Sequence, residues 1–162
     1  MMQKIKYLIR RAVVSDAVKI SEIEKECFSL PWSLQQVRNE IPKNNVIFLS
    51  AVTDDDFCGY ISGQLILDEF YISNVAVTEK FRRFGVGSAL IDNLITELKN
   101  TECSLITLEV RVSNHSARHV YEKFGFQNLG LRKKFYSHPT EDACIYTLYL
   151  KKEGEDNENS CN

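Results

Sequence analysis

At 162 residues the chain is long enough for one domain with a full hydrophobic core, and its 44% hydrophobic and 26% charged content is ordinary for a soluble globular protein. A formal net charge of −2 makes no electrostatic case for a nucleic-acid binder, and no apolar run approaches the ~20 residues of a membrane span. The five cysteines (Cys27, Cys58, Cys103, Cys144 and Cys161) are odd in number and hold no C-x-x-C pair. No metal is therefore expected, and a reduced, cytoplasmic setting is. The opening residues run into a strand-like segment and not into the long apolar core of a signal peptide.

In chain order, residues 5–14 alternate and carry β-branched side chains, which predicts an edge or near-edge strand. Ser15-Asp16 supplies an N-cap for a helix whose inner stripe is Ala17, Ile20, Ile23, Cys27 and Phe28. Leu30-Pro31-Trp32 breaks that helix, and the capping-box spacing Ser33-x-x-Gln36 starts a shorter one that ends near Ile41. Phe28 and Trp32, between the two helices, either plug the end of the core or line a pocket mouth. Residues 46–52 and 58–67 read as antiparallel strands joined by Asp54-Asp55-Asp56, a solvated turn without EF-hand spacing.

The strand at residues 70–77 leads through a short polar link into Arg82-x-x-Gly85-x-Gly87. A helix-period segment follows, with apolar positions at Val86, Leu90, Leu94, Ile95 and Leu98. Residues 104–112 form a further strand, which the crossover helix makes parallel to 70–77. A short helix at 114–123 and a hairpin of strands 127–136 and 143–150 around an exposed loop complete the pattern. The fold class is α/β (α+β): a mixed, mostly antiparallel sheet of about seven strands with about four helices. Residues 153–162 are acidic and amide-rich, with nothing to bury, and read as a disordered tail after a domain spanning 1–152.

Two glycines at a helix start leave backbone N–H groups unpaired and uncovered, where the helix dipole adds positive character. With Arg82 and Arg83 beside them, they suit a phosphate or pyrophosphate. The spacing is neither the dinucleotide fingerprint nor the P-loop.

The ordered set Arg82-x-x-Gly85-x-Gly87, Leu108-Glu109-Val110-Arg111-x-Ser113-Asn114 and Tyr121-Glu122-Lys123-Phe124-Gly125-Phe126 resembles the GNAT N-acetyltransferases. With Phe28-x-x-Pro31-Trp32-Ser33, Phe135-Tyr136 and Glu141-Asp142-Ala143, it is most similar to the RimI-type ribosomal-protein alanine N-acetyltransferases, over about residues 7–150. The resemblance implies the GNAT fold, with its splayed parallel strand pair, and acetyl-CoA as cofactor. Its pyrophosphate would lie on the segment Arg82, Arg83, Phe84, Gly85, Val86, Gly87 and Ser88, although Phe84 stands where a polar residue is frequent. Its pantetheine arm would pair with Val75 and Val77, and Asn114 would either bind the cofactor or cap a helix.

By the same resemblance Glu109 is the general base and Tyr121 the general acid. From the residues alone, Glu109 reads instead as an outward strand carboxylate paired with Arg111 or a lysine, and Tyr121 as a core aromatic. Glu69 is a second carboxylate that shares or replaces the base role. The expected acceptor is a protein N-terminal α-amine, in particular the N-terminal alanine of a small-subunit ribosomal protein. Trp32, Glu69, Phe135 and Tyr136 are the candidate substrate contacts. Glu141 and Asp142 either meet positive charge on the acceptor or belong to a solvated loop, and Arg132-Lys133-Lys134 either forms a basic face or touches a cofactor phosphate. The alternatives are a lysine or small-molecule acceptor and a non-catalytic acyl-CoA sensor.

Overall fold

The structure, a computed structural model, describes residues 4–150; the expected tail and Cys161 lie outside the described residues. The chain runs β1 (Leu8–Arg11), α1 (Ala17–Cys27), α2 (Leu34–Glu40), β2 (Val46–Val52), β3 (Phe57–Ile66), β4 (Glu69–Val77), α3 (Val86–Lys99), β5 (Leu105–Arg111), α4 (His115–Lys123), β6 (Gln127–Tyr136) and β7 (Glu141–Tyr149). The seven strands form one sheet in the order β1-β2-β3-β4-β5-β7-β6. Among the described residues only β4 and β5 pair in parallel, and α3 supplies the long crossover that a parallel pair requires.

Strand alternation divides the core in two. Val46, Phe48 and Tyr60 pack with Ala17, Ile20, Ile23 and Val37 of α1 and α2 on one face. Ile47, Leu49, Ile61 and Leu108 pack on the other against Val86, Leu90, Leu94, Ile95 and Leu98, the full stripe expected of α3. Each large apolar side chain buried this way contributes roughly 1.5–3 kcal/mol. The Ser33–Gln36 capping box forms as expected: Gln36 N–H donates to Ser33 Oγ at 3.2 Å and Ser33 N–H to Gln36 Oε1 at 2.8 Å.

Two local expectations change. The first strand is only four residues long, because the chain turns into a 3₁₀ turn at Val14–Asp16. Asp16 does not cap α1. That turn has already placed Asp16 in helical backbone, so its carboxylate reaches back to accept from Val13 N–H at 2.9 Å and from Arg10 at 2.7 and 3.0 Å.

Two irregularities position the site. On β3 and β4, Ser62 pairs with Asn74 but Gly63 with Ile72, so Ser73 is an extra, bulged residue. A Cβ on Gly63 would stand 2.3 Å from the Tyr71 carbonyl oxygen, a backbone approach only glycine permits. The parallel ladder covers only Glu69–Tyr71 against Leu105–Thr107, although β4 continues to Val77 and β5 to Arg111. Beyond that point the two strands splay.

Candidate active site

The splay opens into a cavity of about 530 Å³ between β4 and β5, within the usual range for a ligand site. Val75 from β4, Glu109 from β5, Gly87 and Ser88 from α3, Asn114 just before α4 and Tyr121 from α4 all line it.

Glu109 projects from β5 with its side chain only 7% exposed. Burial pushes its carboxyl above the ordinary range, while the Arg132 guanidinium and its own backbone N–H pull the other way. The partner is Arg132, whose Nη1 donates to Oε1 at 2.9 Å, and not Arg111 or a lysine. Arg111 is committed elsewhere: it donates to the carbonyls of Pro139 and Ser137 and lies 4.3 Å above the Tyr136 ring. Tyr121 is buried against Phe126 and Tyr146, and burial raises its hydroxyl well above the reference value near 10, so it stays protonated at neutral pH. Tyr121 is thus a core aromatic, as one reading expects, and also lines the cavity.

At the other end, α3 begins without a side-chain cap. Gly85 is left-handed, with φ 78°, and the first N–H that closes a helical bond is that of Ala89, donating to Gly85 at 2.9 Å. The N–H groups of Val86, Gly87 and Ser88 therefore make no helical bond. A Cβ on Gly87 would come no nearer than 3.7 Å to Val77, so nothing in the fold itself excludes a side chain there. This helix terminus fits a pyrophosphate chemically. Val86 contributes only its backbone, its side chain being core. Arg82 is exposed but turns back on the fold, with Nε donating to the Val77 carbonyl at 3.1 Å, which occupies one of the two β4 groups expected to meet the cofactor. Arg83 has φ 67° and is exposed, as is Phe84.

Trp32, Phe135 and Tyr136 all reach the cavity. Trp32 also packs edge-on against Phe48, so it both plugs the core and walls the pocket. Burial and the neighbouring Glu109 carboxylate raise the Tyr136 hydroxyl to about 12. Asn114 caps α4, its side chain accepting from Ala117 N–H at 3.2 Å, and it also lines the cavity. Glu69 is not brought to the site. It opens β4 at the closed end of the parallel ladder, paired with Leu105, four positions or about 13 Å along β5 from Glu109. Glu141 accepts at 2.9 Å from Ser113 Oγ, in the link between β5 and α4, and Asp142 accepts from Lys134 N–H at 2.8 Å within its own hairpin. Among the described residues no group of three or more His, Cys, Asp or Glu side chains is arranged to hold a metal.

Glu24 escaped the sequence reading. It is 1% exposed on α1, lines the cavity, and accepts from Trp32 N–H at 2.8 Å, Asn74 Nδ2 at 2.7 Å and the Tyr60 hydroxyl. Burial raises its carboxyl, and these three donors oppose the rise. The signal was present: Glu24 falls four residues after Ile20, an acid on the apolar stripe of α1.

Residues 17–126 match the acetyltransferase (GNAT) family. The chain belongs to that family. A ribosomal protein bS18-alanine N-acetyltransferase of Haemophilus influenzae is 32% identical, over 88% of this chain and 99% of its own. The Salmonella typhimurium protein of the same name is 34% identical, over 78% and 86%. The crystal structure of the ribosomal-protein-S18-alanine N-acetyltransferase from Escherichia coli superposes with a TM-score of 0.85 at 28% identity, covering 94% of this chain and 99% of that one. The protein is an acetyltransferase of the GNAT fold that uses acetyl-CoA. Of the residues expected to hold that cofactor, Val75, Gly87, Ser88 and Asn114 line the cavity, and among the described residues no atom stands nearer than 3.7 Å to a Cβ placed on Gly87.

Proposed function

We propose that this acetyltransferase modifies the α-amine of a protein N-terminus, specifically the N-terminal alanine of a small-subunit ribosomal protein, in the cytoplasm. The observation that carries the reading is the buried carboxylate of Glu109 at the splay, in one cavity with Tyr121 and with the aromatic walls Trp32, Phe135 and Tyr136. The curated relatives named for bS18 alanine acetylation support the choice of acceptor.

Acetyl-CoA, when bound, supplies a thioester whose carbonyl carbon accepts the amine and whose sulfur leaves. Glu109 takes the proton that the amine loses. Tyr121 holds the proton that the departing sulfur needs, and its burial keeps that proton in place. The backbone at Val75 offers an N–H to the thioester oxygen. Gly87, Ser88 and Asn114 bind and orient the cofactor, and the aromatic walls exclude water. An α-amine titrates near 7.7–8.0 and a lysine side chain near 10.4, so a lysine costs roughly 3.5 kcal/mol more to deprotonate. A single carboxylate whose pKa burial has raised is matched to the α-amine.

The test is acetyl transfer from labelled acetyl-CoA to a short Ala-starting peptide, against the same peptide with a blocked α-amine and a free lysine. Label on the free N-terminus alone is expected, with kcat falling roughly 10²-fold or more in Glu109→Gln. Label only on the lysine peptide moves the acceptor, and no turnover with intact acetyl-CoA binding leaves a small-molecule acceptor or a sensor.

A further inference from the structure

Arg132 stands on β6, two strands away from Glu109, with β7 between them. Ala143 of β7 pairs with Arg111 on one side and with Arg132 on the other, and Ile145 pairs with Glu109 and with Gly130. These registers put Glu109, Arg111, Ala143, Ile145 and Arg132 on one sheet face. Ala143, the β7 residue directly between Arg132 and Arg111, presents only a methyl group, so the long Arg132 side chain can cross β7 there. It ends on Glu109 at 2.9 Å, with its own side chain 55% exposed, and is the only side chain among the described residues hydrogen-bonded to that carboxylate. The guanidinium also lies 5.5 Å from the Phe135 ring, which limits its swing. It arrives from the sheet edge and does not itself line the cavity, whereas Glu109 does.

We propose that Arg132 is a positioning residue for acetyl transfer: it holds one carboxylate oxygen of Glu109 from the outer strand, keeping the group ionised and oriented so that it works as a base from within a buried cleft. The inference rests on Glu109 being that base. Burial alone favours the neutral acid, which cannot take a proton. An opposite charge in direct contact favours the anion, and a planar guanidinium also fixes its direction. The other ionisable groups around Glu109 do not replace it. Arg111, on the same strand, is tied to the Ser137 and Pro139 carbonyls and the Tyr136 ring. Tyr136 and Tyr121 are phenols whose raised hydroxyls carry no charge at neutral pH. Across the cavity, Tyr71 is another phenol, Glu24 is an acid held by its own three donors, and Cys27 is a thiol that burial raises. The nearest β7 residues, Ala143 and Ile145, do not titrate.

The experiment is the pH profile of kcat and kcat/KM from pH 4.5 to 9 on an Ala-starting peptide, for wild type, Arg132→Gln, Arg132→Lys and Glu109→Gln. The amine of the peptide titrates identically in every kcat/KM profile, so the displacement between variants isolates the enzyme group. Contact with arginine lowers a carboxylate by about 1–3 units, and half-exposure reduces this, so the enzyme's acidic limb should move up by about 0.5–1 unit in Arg132→Gln. Arg132→Lys should keep most of the wild-type limb, and the KM for acetyl-CoA and the melting temperature should stay at wild-type values in both. An unmoved limb in Arg132→Gln, or Lys and Gln variants with the same limb, overturns the proposal. Glu109→Gln separates the two failures. If it is inactive while the Arg132 limb is unmoved, only this inference falls; if it keeps wild-type turnover, the base assignment falls first and takes this inference with it.

Discussion

Replacing Glu24 with leucine tests whether the floor of the acceptor pocket is held by one buried carboxylate. The substitution removes the acceptor for three donors: the Tyr60 hydroxyl, the Asn74 amide and the Trp32 N–H. Tyr60 is 1% exposed, so its hydroxyl loses its partner with no water to replace it, at about 1–3 kcal/mol. Asn74 and Trp32 border the cavity and can turn to solvent, losing about 0.5–1.5 kcal/mol each. Relief from burying a carboxylate, together with leucine's own apolar burial, offsets part of this, leaving about 2–3 kcal/mol. For a chain of this size that is a fall of roughly 4–12 °C in melting temperature. Because Trp32 loses its tether, the KM for the acceptor peptide should rise several-fold while that for acetyl-CoA stays put. The folded-state pKa of Glu24 lies above its unfolded value, so its stability contribution is fully present below pH ~4.3 and is lost as pH rises through the folded pKa. The cost of Glu24→Leu should therefore be largest near pH 4 and shrink toward pH 7. Urea melts at the two pH values, with Tyr60→Phe and the double variant completing a cycle, measure this directly. A cost below 0.5 kcal/mol at both pH values, or additive Tyr60 and Glu24 effects, would refute the reasoning.

Three further outcomes follow from the same geometry. Gly87→Ala should raise the melting temperature slightly, since alanine is worth up to about 1 kcal/mol in a helix and its methyl meets nothing nearer than Val77 at 3.7 Å. It should also weaken acetyl-CoA binding by about tenfold or more in calorimetry, so unchanged affinity would remove the pyrophosphate from that helix end. Tyr121→Phe should lower kcat by roughly 10²-fold with little change in stability, because no hydrogen bond to its hydroxyl is formed within the described residues; a large loss in thermal stability with kcat intact would make Tyr121 purely structural. Asp16→Asn should destabilise the protein at pH 7 by about 1–2 kcal/mol. Desolvation raises Asp16, but Arg10 and the Val13 N–H outweigh it and its pKa is lowered, so this contribution is present above pH ~3.9 and is lost as pH falls through the folded pKa. Denaturant midpoints should converge in acid.

The sequence by itself determined the elements and their order. The α3 stripe and the Ser33–Gln36 box are local patterns, each readable from residues only a few positions apart. The start of α3 at Gly85 was legible for the same reason, since a helix start is read from consecutive residues. That Glu109 and Tyr121 meet at one cavity followed only from the recognised pattern, because nothing local distinguishes a strand glutamate that lines a cleft from one that is paired in solvent. Tertiary structure decided the rest. It set Glu69 about 13 Å from Glu109 by the register of a three-pair ladder. It chose Arg132, 23 residues away in sequence, over Arg111, two away, as the partner of Glu109. It also gathered Tyr60, Asn74 and Trp32 from three separate segments onto Glu24. The physical reason is common to all three: periodicity tells which face a side chain takes, but the partner that sets its charge comes from whichever strand the sheet places alongside, and that order is not written in any single segment.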